Sequence, residues 1–578
     1  MSFLGVETSL TGRRWLGPSI ETNRAAQALA QQTGLPSAVS QIIAARGVAS
    51  NEVENYLSPA LRDLIPDPRS LKDMERAAAR LLQALSQRER IAIFADYDVD
   101  GGCSAALLLT WLRQMNCDAT LYVPDRIDEG YGPNNAAMQM LANDHSLIIC
   151  VDCGTLSHEP IAAAVGADVI VLDHHLGEEE LPPAFAVVNP NRQDEDGQSA
   201  HLCAAAVVFL LLVELRRQLR EAGEQSPDLM TFLDLVALAT VADVAPLIGV
   251  NRAFVRQGLK VMARRERIGL TALADAAGLD SAPSTYHLGY VLGPRVNAGG
   301  RIGAADLGAR LLSTDDPHEA AALSEKLDHL NGERREVEAD VRTLALEQAE
   351  ERGLDAPLVW AAGAHWHPGV VGIVASRLKE VSNRPSIVIG VEDGIGKGSG
   401  RSVSGIDLGQ PIQRLAREGL LIKGGGHKMA AGLTVAEEKI EPAMKRLSEL
   451  LAKQGADRLG VADLRLDGVL MPQAADVDLI MQLERAGPFG ASSPAPRFAF
   501  PDMTIRFAKR VGENHLRISF GDTSGTLDAI AFNAFGSALG PALESHGGAK
   551  FHLAGRVEIN TWRGRQSVQL RLEDAAAA

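Results

Sequence analysis

No cysteine follows position 203 in this 578-residue chain, and its five cysteines (103, 117, 150, 153, 203) are odd in number. That count and placement suit a reducing cytoplasm better than a disulfide framework. Cys150-Val-Asp-Cys153 has CxxC spacing, but no second pair completes a zinc site, so these residues read as small buried core. Long apolar runs are missing too. The longest, Leu202 to Val213, is shorter than the roughly 17–25 residues a spanning helix needs. The segment Met1 to Glu7 has no basic stretch leading into an apolar one, which argues against export.

Positive charge is not in excess: the formal net charge is −16. Distribution matters more than the total. Residues 463–578 hold 12 Lys/Arg against 13 Asp/Glu, so nearly all the negative charge lies upstream. A near-neutral tail on an acidic body permits a nucleic-acid partner without requiring one. An apolar fraction of 46% is ordinary for a globular chain, and the length is too great for a single core.

What is present is a set of acids where apolar β-runs end. Ile91-Ala-Ile-Phe-Ala95 stops at Asp96-Tyr-Asp98-Val-Asp100-Gly-Gly, Leu147-Ile-Ile-Cys-Val151 at Asp152-Cys-Gly154, and Val169-Ile-Val-Leu172 at Asp173-His174-His175. Each run has the length and β-branched content of a buried parallel strand. Ligands of open α/β sheets bind beyond the carboxyl ends of the strands. Carboxylates crowded there repel one another unless cations sit among them, so the pattern predicts a divalent-metal site.

Strand and helix patterns alternate from 90 to 190: strands at 91–95, 119–123, 147–151 and 168–172, and a helix near 103–115. Helices are expected at 201–222 and 229–242, the second ending at Asp243. A charged helical stretch, 317–352, reads as a solvated helix laced with i,i+4 ion pairs and bridging two domains. A second α/β block follows, closing on Gly424-Gly425-Gly426-His427. After Gly460 come five short strands, the pattern of an OB-type barrel. There Arg497, Arg506, Lys509, Arg510 and Arg517 cluster, and Trp562-Arg563-Gly-Arg565 adds an aromatic flanked by cations. That is either a nucleic-acid groove or a surface charge run beside a packing tryptophan. The expected fold is thus two α/β domains (86–316, with a mostly parallel sheet, and 353–460) joined by a long helix (317–352). A helical and loop-rich segment (1–85) precedes them, and a β-barrel (461–578) follows.

The order Asp-Tyr-Asp-Val-Asp, Val-Asp-Cys-Gly, Asp-His-His and Val-Ala-Asp243 resembles the DHH phosphoesterase superfamily. Downstream, Gly293-Pro-Arg-Val-Asn-Ala-Gly-Gly-Arg301, His367-Pro-Gly-Val-Val-Gly372, Gly398-Ser-Gly-Arg-Ser402, Gly424-Gly-Gly-His427, Gly487-Pro-Phe-Gly490 and Asn560-Thr-Trp-Arg-Gly564 narrow the resemblance. They are similar to the motifs of the bacterial RecJ-type single-stranded-DNA exonucleases, over about residues 50–575. The resemblance implies a DHH domain and a DHH-associated domain. It implies two divalent ions, Mn²⁺ or Mg²⁺, held by Asp96, Asp98, Asp152, His174 and Asp243, with Asp152 bridging. Asp100 and His175 would be close supports or water-positioning groups, and Asp173 would either orient its motif's backbone or bind metal. Catalysis would fall to Asp98, Asp152, His174, His175 and, touching the scissile phosphate, His427. Ser399, Arg401 and Arg301 or Arg295 would grip the 5′ end, with Gly424, Gly425 and Gly426 letting backbone approach phosphate. Arg126 and Tyr131 would line the channel, and Arg506, Lys509, Arg510, Trp562 and Arg563 would hold DNA on the barrel. Many superfamily members carry a histidine four residues before the first aspartate; here that position is Ala92.

The implied activity is 5′→3′ hydrolysis of single-stranded DNA to 5′-mononucleotides, in repair and recombination. A cytoplasmic monomer is expected, with no membrane association and with single-stranded-DNA-binding protein and helicases as candidate partners. Two alternatives stand beside it. One is a DHH phosphodiesterase of short oligonucleotides or cyclic dinucleotides, against which the barrel counts. The other is a catalytically inactive DHH-type DNA-binding subunit, against which the intact set of acids counts.

Overall fold

The computed structural model describes residues 2–126, 128–460, 462–562 and 565–578, and no side chain at 562 or 565. By contact the chain forms two units, Leu64–Leu459 and a second made of Met1–Asp63 with Gly460–Ala578.

The larger unit opens with a parallel five-stranded sheet. Its strands are β1 (Ile91–Ala95), β2 (Ala119–Tyr122), β3 (Leu147–Val151), β4 (Asp168–Leu172) and β5 (Ala186–Val188), in the order β2-β1-β3-β4-β5. β1 and β3 are buried at every position because helices cover both faces, which is why they read as unbroken apolar runs. Register places Ala95 beside Val151 and Val151 beside Leu172. The next residue of each strand is therefore an acid. The Asp96, Asp152 and Asp173 N–H groups donate to Val151, Leu172 and Val188 O, extending the ladder by one step. Adjacent strands stand about 4.8 Å apart, so these three acids arrive side by side.

Helix α1 (Val99–Gln114) begins four residues before its expected start. Asp98 is its N-cap, accepting from the Asp100 and Gly101 N–H groups. The Gly101-Gly102 pair reads as a breaker, yet a Cβ on Gly101 would stand 2.4 Å from Asp96 O. Glycine is there to let the helix start against the end of β1. Helices α2 (Ala204–Glu221) and α3 (Leu233–Ala242) pack behind it, and α3 carries Asp243 as its C-cap. Helix α4 (Gly293–Ile302) brings Asn297, whose Oδ1 accepts the Val99 N–H.

Helix α5 (Pro317–Arg352, 36 residues) carries i,i+4 pairs such as Arg334–Glu338, but it also has a buried face along its length. Leu327 and Leu330 meet the glycine positions of the 299–303 stretch, and Arg295 pairs with Asp328. Val341, Ala345 and Ala349 pack instead with β6 (Val359–Ala364) and α6 (Pro368–Ser382) of the second block. Gly332, between these stretches, has nothing within 4 Å of its Cβ position. The second sheet has the order β9-β10-β8-β7-β6, with β7 (Ser386–Glu392), β8 (Ile395–Arg401), β9 (Lys423–Gly426) and β10 (Ala430–Ala436). Only β6–β7 is parallel.

In the smaller unit, strands β11 (Phe498–Val511), β12 (His515–Gly521), β13 (Thr526–Ala531), β14 (Lys550–Trp562) and β15 (Arg565–Ala577) close into a barrel through the β11–β14 pairing, consistent with an OB fold. Leu29, Ile42 and Ile43 of the N-terminal helices join its core. Trp15 is fully buried and its indole N–H donates to buried Asp574 (2.9 Å). Among the described residues, no helix is long and apolar enough to cross a membrane.

Because Trp15 ties the N-terminal segment to the barrel, Trp15→Ala should destabilise this unit by about 3–5 kcal/mol. Denaturant melts of the full chain, with a barrel-specific probe, measure it. A loss below about 1 kcal/mol would show that the tryptophan does not anchor the segment.

Candidate metal centre and phosphate cleft

Six acids and two histidines meet at the carboxyl edge of the parallel sheet. Three groups of ligand atoms lie within 4.8 Å of one another: Asp96, Asp98 and Asp152; Asp152, His174 and His175; and Asp100, His174 and Asp243. The His174 Nε2 atom stands 3.3 Å from Asp152, 3.6 Å from Asp100 and 3.8 Å from Asp243. Asp152 belongs to two of the groups and adopts φ +60°, a left-handed conformation that costs strain in a non-glycine residue.

Burial, and then Asp98, hold the Asp96 carboxyl well above its ordinary range. Burial followed by Asp100 and Asp98 does the same to Asp152. Asp243 is pushed up to about 8 by burial, then by Asp100 and Asp98. The Oδ1 atoms of Asp96 and Asp152 are sealed from water and accept no hydrogen bond. Buried carboxylate oxygens without donors need either protons or cations. All-oxygen donors with one imidazole suit Mn²⁺ or Mg²⁺, so the donor set fits the expected ions.

Asp173 differs from these acids because it is saturated with donors. Asp173 accepts from Thr155 N and Oγ1, His174 N, His175 N and His175 Nδ1 (2.8 Å). Burial opposes its charge, but these bonds and the His175 cation win, and its pKa falls below the usual carboxylate range. Its geometry is that of a group orienting the Asp-His-His backbone. Burial likewise opposes charge on His175, yet Asp173 outweighs it and raises the imidazole to about 9. Asp100 accepts from the Ala204 and Ala205 N–H groups at the start of α2. The Ala92 side chain packs in an apolar cluster with Phe94 and Cys150, turned into the core.

A cleft of about 550 Å³ adjoins the centre. Tyr97, Arg126, Tyr131 and Arg301 line it from the first block, and Ser399, Gly424 and Gly425 from the second. The Tyr131 hydroxyl donates to Asp152 O (2.9 Å) and lies 3.0 Å from His175 Nδ1. Arg126 stands over the Tyr97 ring, 5.4 Å from its centroid. Arg301 donates to Gly369 O, and burial lowers its pKa to about 10. Arg401 donates to Ser399 Oγ (3.0 Å). Of the two arginines left open by the sequence, Arg301 reaches the cleft, whereas Arg295 is committed to Asp328 and Val291 O. His427 and Gly426 lie at the turn between β9 and β10, outside the three ligand groups.

On the barrel, Arg506 donates to Asp522 O, and Arg510 stacks on Phe535 and pairs with Glu544. Arg497 pairs with Glu573 and Arg517 with Asp528. Lys509 faces Arg517 across the β11–β12 pair. Arg563 and the side chain of Trp562 lie outside the described residues. Sequence reasoning missed Tyr97, Lys397, Lys423 and Thr434, which also line the cleft. Lys397 was legible in principle, since alternate residues of Lys397-Gly-Ser399-Gly-Arg401 share one face of a strand.

The DHH family N-terminal domain matches residues 90–240, the DHHA1 domain residues 355–453, and the RecJ OB domain residues 466–574. The single-stranded-DNA-specific exonuclease RecJ of Dickeya dadantii is 38% identical over 93% of this chain and 96% of its own length. That of Escherichia coli is 37% identical over the same shares. Among solved structures, RecJ of Thermus thermophilus in complex with Mn²⁺ superposes with a TM-score of 0.81 and 30% identity, covering 97% of this chain and 79% of that one.

Because the folded pKa of Asp243 (about 8) lies above its ordinary 3.8, the metal-free chain takes up a proton on folding and loses that stabilisation as pH rises towards 8. Protons and cations compete for the same oxygens. Added Mn²⁺ should therefore raise Tm more at pH 8.5 than at pH 6, against chelator-treated controls in thermal melts. An equal or larger shift at pH 6 would contradict a carboxylate-built site.

Proposed function

The chain belongs to the RecJ family of single-stranded-DNA-specific exonucleases, and on that premise we infer that it is a divalent-metal-dependent nuclease that degrades single-stranded DNA from an end. The carrying observation is the pair of sealed, donorless carboxylate oxygens on Asp96 and Asp152, flanked by a cleft bearing Arg126 and Arg301. We propose 5′→3′ polarity and release of 5′-mononucleotides. A cleft closed by two arginines and Ser399 suits the capture of a terminal phosphate.

In this reading Asp96, Asp98, Asp152, His174 and Asp243 hold two ions, with Asp100 and Asp173 as supports. Divalent ions supply two things to phosphodiester hydrolysis: a lower pKa for the attacking water and compensation of charge on the phosphoryl oxygens. The protein's own groups do the rest. Ser399, Arg401 and Arg301 fix the 5′ phosphate, guanidinium forks matching its oxygens. Gly424, Gly425 and Gly426 bring bare backbone up to the strand. His175, held by Asp173 and contacted by Tyr131, is placed to donate towards the scissile phosphate, and His427 approaches it from the β9–β10 turn. Asp98 fixes the start of α1 while presenting its carboxylate to the centre.

Binding of polynucleotide by the barrel is supported by its family match, and Arg506, Lys509 and Arg510 are proposed contacts. We take 86–316 as the catalytic domain, 353–460 as the substrate-binding domain and 461–578 as the nucleic-acid barrel. A cytoplasmic monomer acting in repair and recombination, alongside single-stranded-DNA-binding protein and helicases, completes the reading.

Asp152→Asn should lower kcat by at least about 100-fold, equivalent to about 2.7 kcal/mol, while single-strand affinity stays within about threefold of the parent's. Strands labelled at one end and blocked at the other, digested in Mn²⁺, Mg²⁺ and chelator, measure rate, polarity and metal dependence together. Cleavage by the variant near the parent's rate, or digestion that persists in chelator, would sink the mechanism.

A further inference from the structure

The second sheet presents its cleft-facing side chains in rows set by register. Lys423 lies beside Thr434, and Thr434 beside Lys397. The next row is Gly425, Gly432 and Ser399, and the one after ends in Ala430 and Arg401, with the His427 N–H donating to Ala430 O. Same-face rows stand about 6.7 Å apart.

The glycines on the two faces are there for different reasons. A Cβ at Gly396 or Gly398 would strike Ile389, and one at Gly400 would strike Leu408, at 2.6–2.9 Å, so packing demands glycine. A Cβ at Gly425 or Gly432 would meet nothing within 4 Å, and neither residue has positive φ. The fold would accept side chains at these two positions, so their absence keeps a strip of bare backbone open in the cleft. Ser399 and Arg401, which close one end of it, lie against Gly372 of α6. At the other end, among the described residues, neither the Lys397 nor the Lys423 side chain has an ion-pair or hydrogen-bond partner. No acid lines this cleft.

We propose that the Lys397–Thr434–Lys423 row is a second anion site, and that the cleft accepts strands whose 5′ end carries a di- or triphosphate. This rests on the exonuclease reading. With a 5′ phosphate gripped by Ser399 and Arg401 and the strand running on to the metal centre, an ordinary 5′-monophosphate has nothing that reaches the lysine row. A phosphate chain laid along the glycine strip does. Two ammonium groups and a hydroxyl match its outer oxygens, and no side chain stands between the rows. Hydrolysis is unchanged in kind. Water adds to the first internucleotide phosphorus, the bond to the 3′ oxygen breaks, and that oxygen takes a proton. The products are a nucleoside 5′-triphosphate with a free 3′ hydroxyl and a strand bearing a new 5′ phosphate.

The test uses the full chain in saturating Mn²⁺ with otherwise identical strands ending in 5′-monophosphate or 5′-triphosphate, each made with all four first bases. Charge-assisted contacts at two lysines should give the triphosphate strand about tenfold lower KM, with nucleoside triphosphate identified as first product by mass spectrometry. In K397M/K423M the KM ratio should collapse towards one, and in K397R/K423R it should persist. Equal KM for the two ends in the parent would overturn the proposal, as would a ratio untouched by the methionine pair. A ratio that follows the first base would reassign the row to base recognition and overturn it too. Failure to cleave even the monophosphate strand would instead overturn the exonuclease reading itself.

Discussion

Mutual repulsion among aspartates withdrawn from water is the constraint on which the functional half of this molecule turns. Three of these acids are delivered side by side by strand register, each one residue past the last apolar position of its strand. Asp98, Asp100 and Asp243 close in from the ends of α1 and α3. Charge at that density is tolerable only with protons or divalent ions among the oxygens. The surrounding architecture serves to hold the geometry against that repulsion. Asp98 and Asp100 spend carboxylate oxygens on helix N-termini, Asp173 is saturated by five donors, and a glycine lets α1 begin hard against β1. The Oδ1 atoms of Asp96 and Asp152, sealed and without donors, are left for cations, with Asp98 and Asp243 beside them in the ligand groups.

The same division between structural and exposed chemistry recurs in the second block. Glycines on the buried face of its sheet are dictated by side chains packed beneath them, while those on the cleft face are dictated by nothing in the fold. Alternation along β8 then gives a wall whose inner surface is apolar and whose outer surface carries Lys397, Ser399 and Arg401. Opposite it, Tyr131 links the cleft to the metal centre through Asp152 and His175.

Much of this was legible in the sequence, for identifiable reasons. Strands β1, β3 and β4 carry unambiguous buried runs, and the acids at their ends made the centre visible before any coordinates. The charged, breaker-poor run at 317–352 gave the long helix, and the short alternating strands after Gly460 gave the barrel. What stayed hidden depends on contacts distant in sequence. The start of α1 was set too late because Gly101-Gly102 has poor helix propensity, and only the approach of Asp96 O explains it. Choosing between Arg295 and Arg301 required knowing that Asp328 sits beside the first. The burial of Trp15 against Asp574, 559 positions away, leaves no local pattern at all. Lys397 and Lys423 went unremarked in the sequence because their neighbours in the row belong to other strands.

Helix α5 carries both walls of the cleft on one rod about 54 Å long. Its first half is fastened to the metal-bearing block and its second to β6 and α6 of the second block. Gly332 sits where one attachment gives way to the other, with room for a Cβ, and glycine there makes the helix about 1 kcal/mol less stable than alanine would. The spacing of the two walls is therefore held by this helix together with the direct bond from Arg301 to Gly369 O. Moving the walls apart would mean both bending the helix, against its run of backbone hydrogen bonds, and giving up that bond.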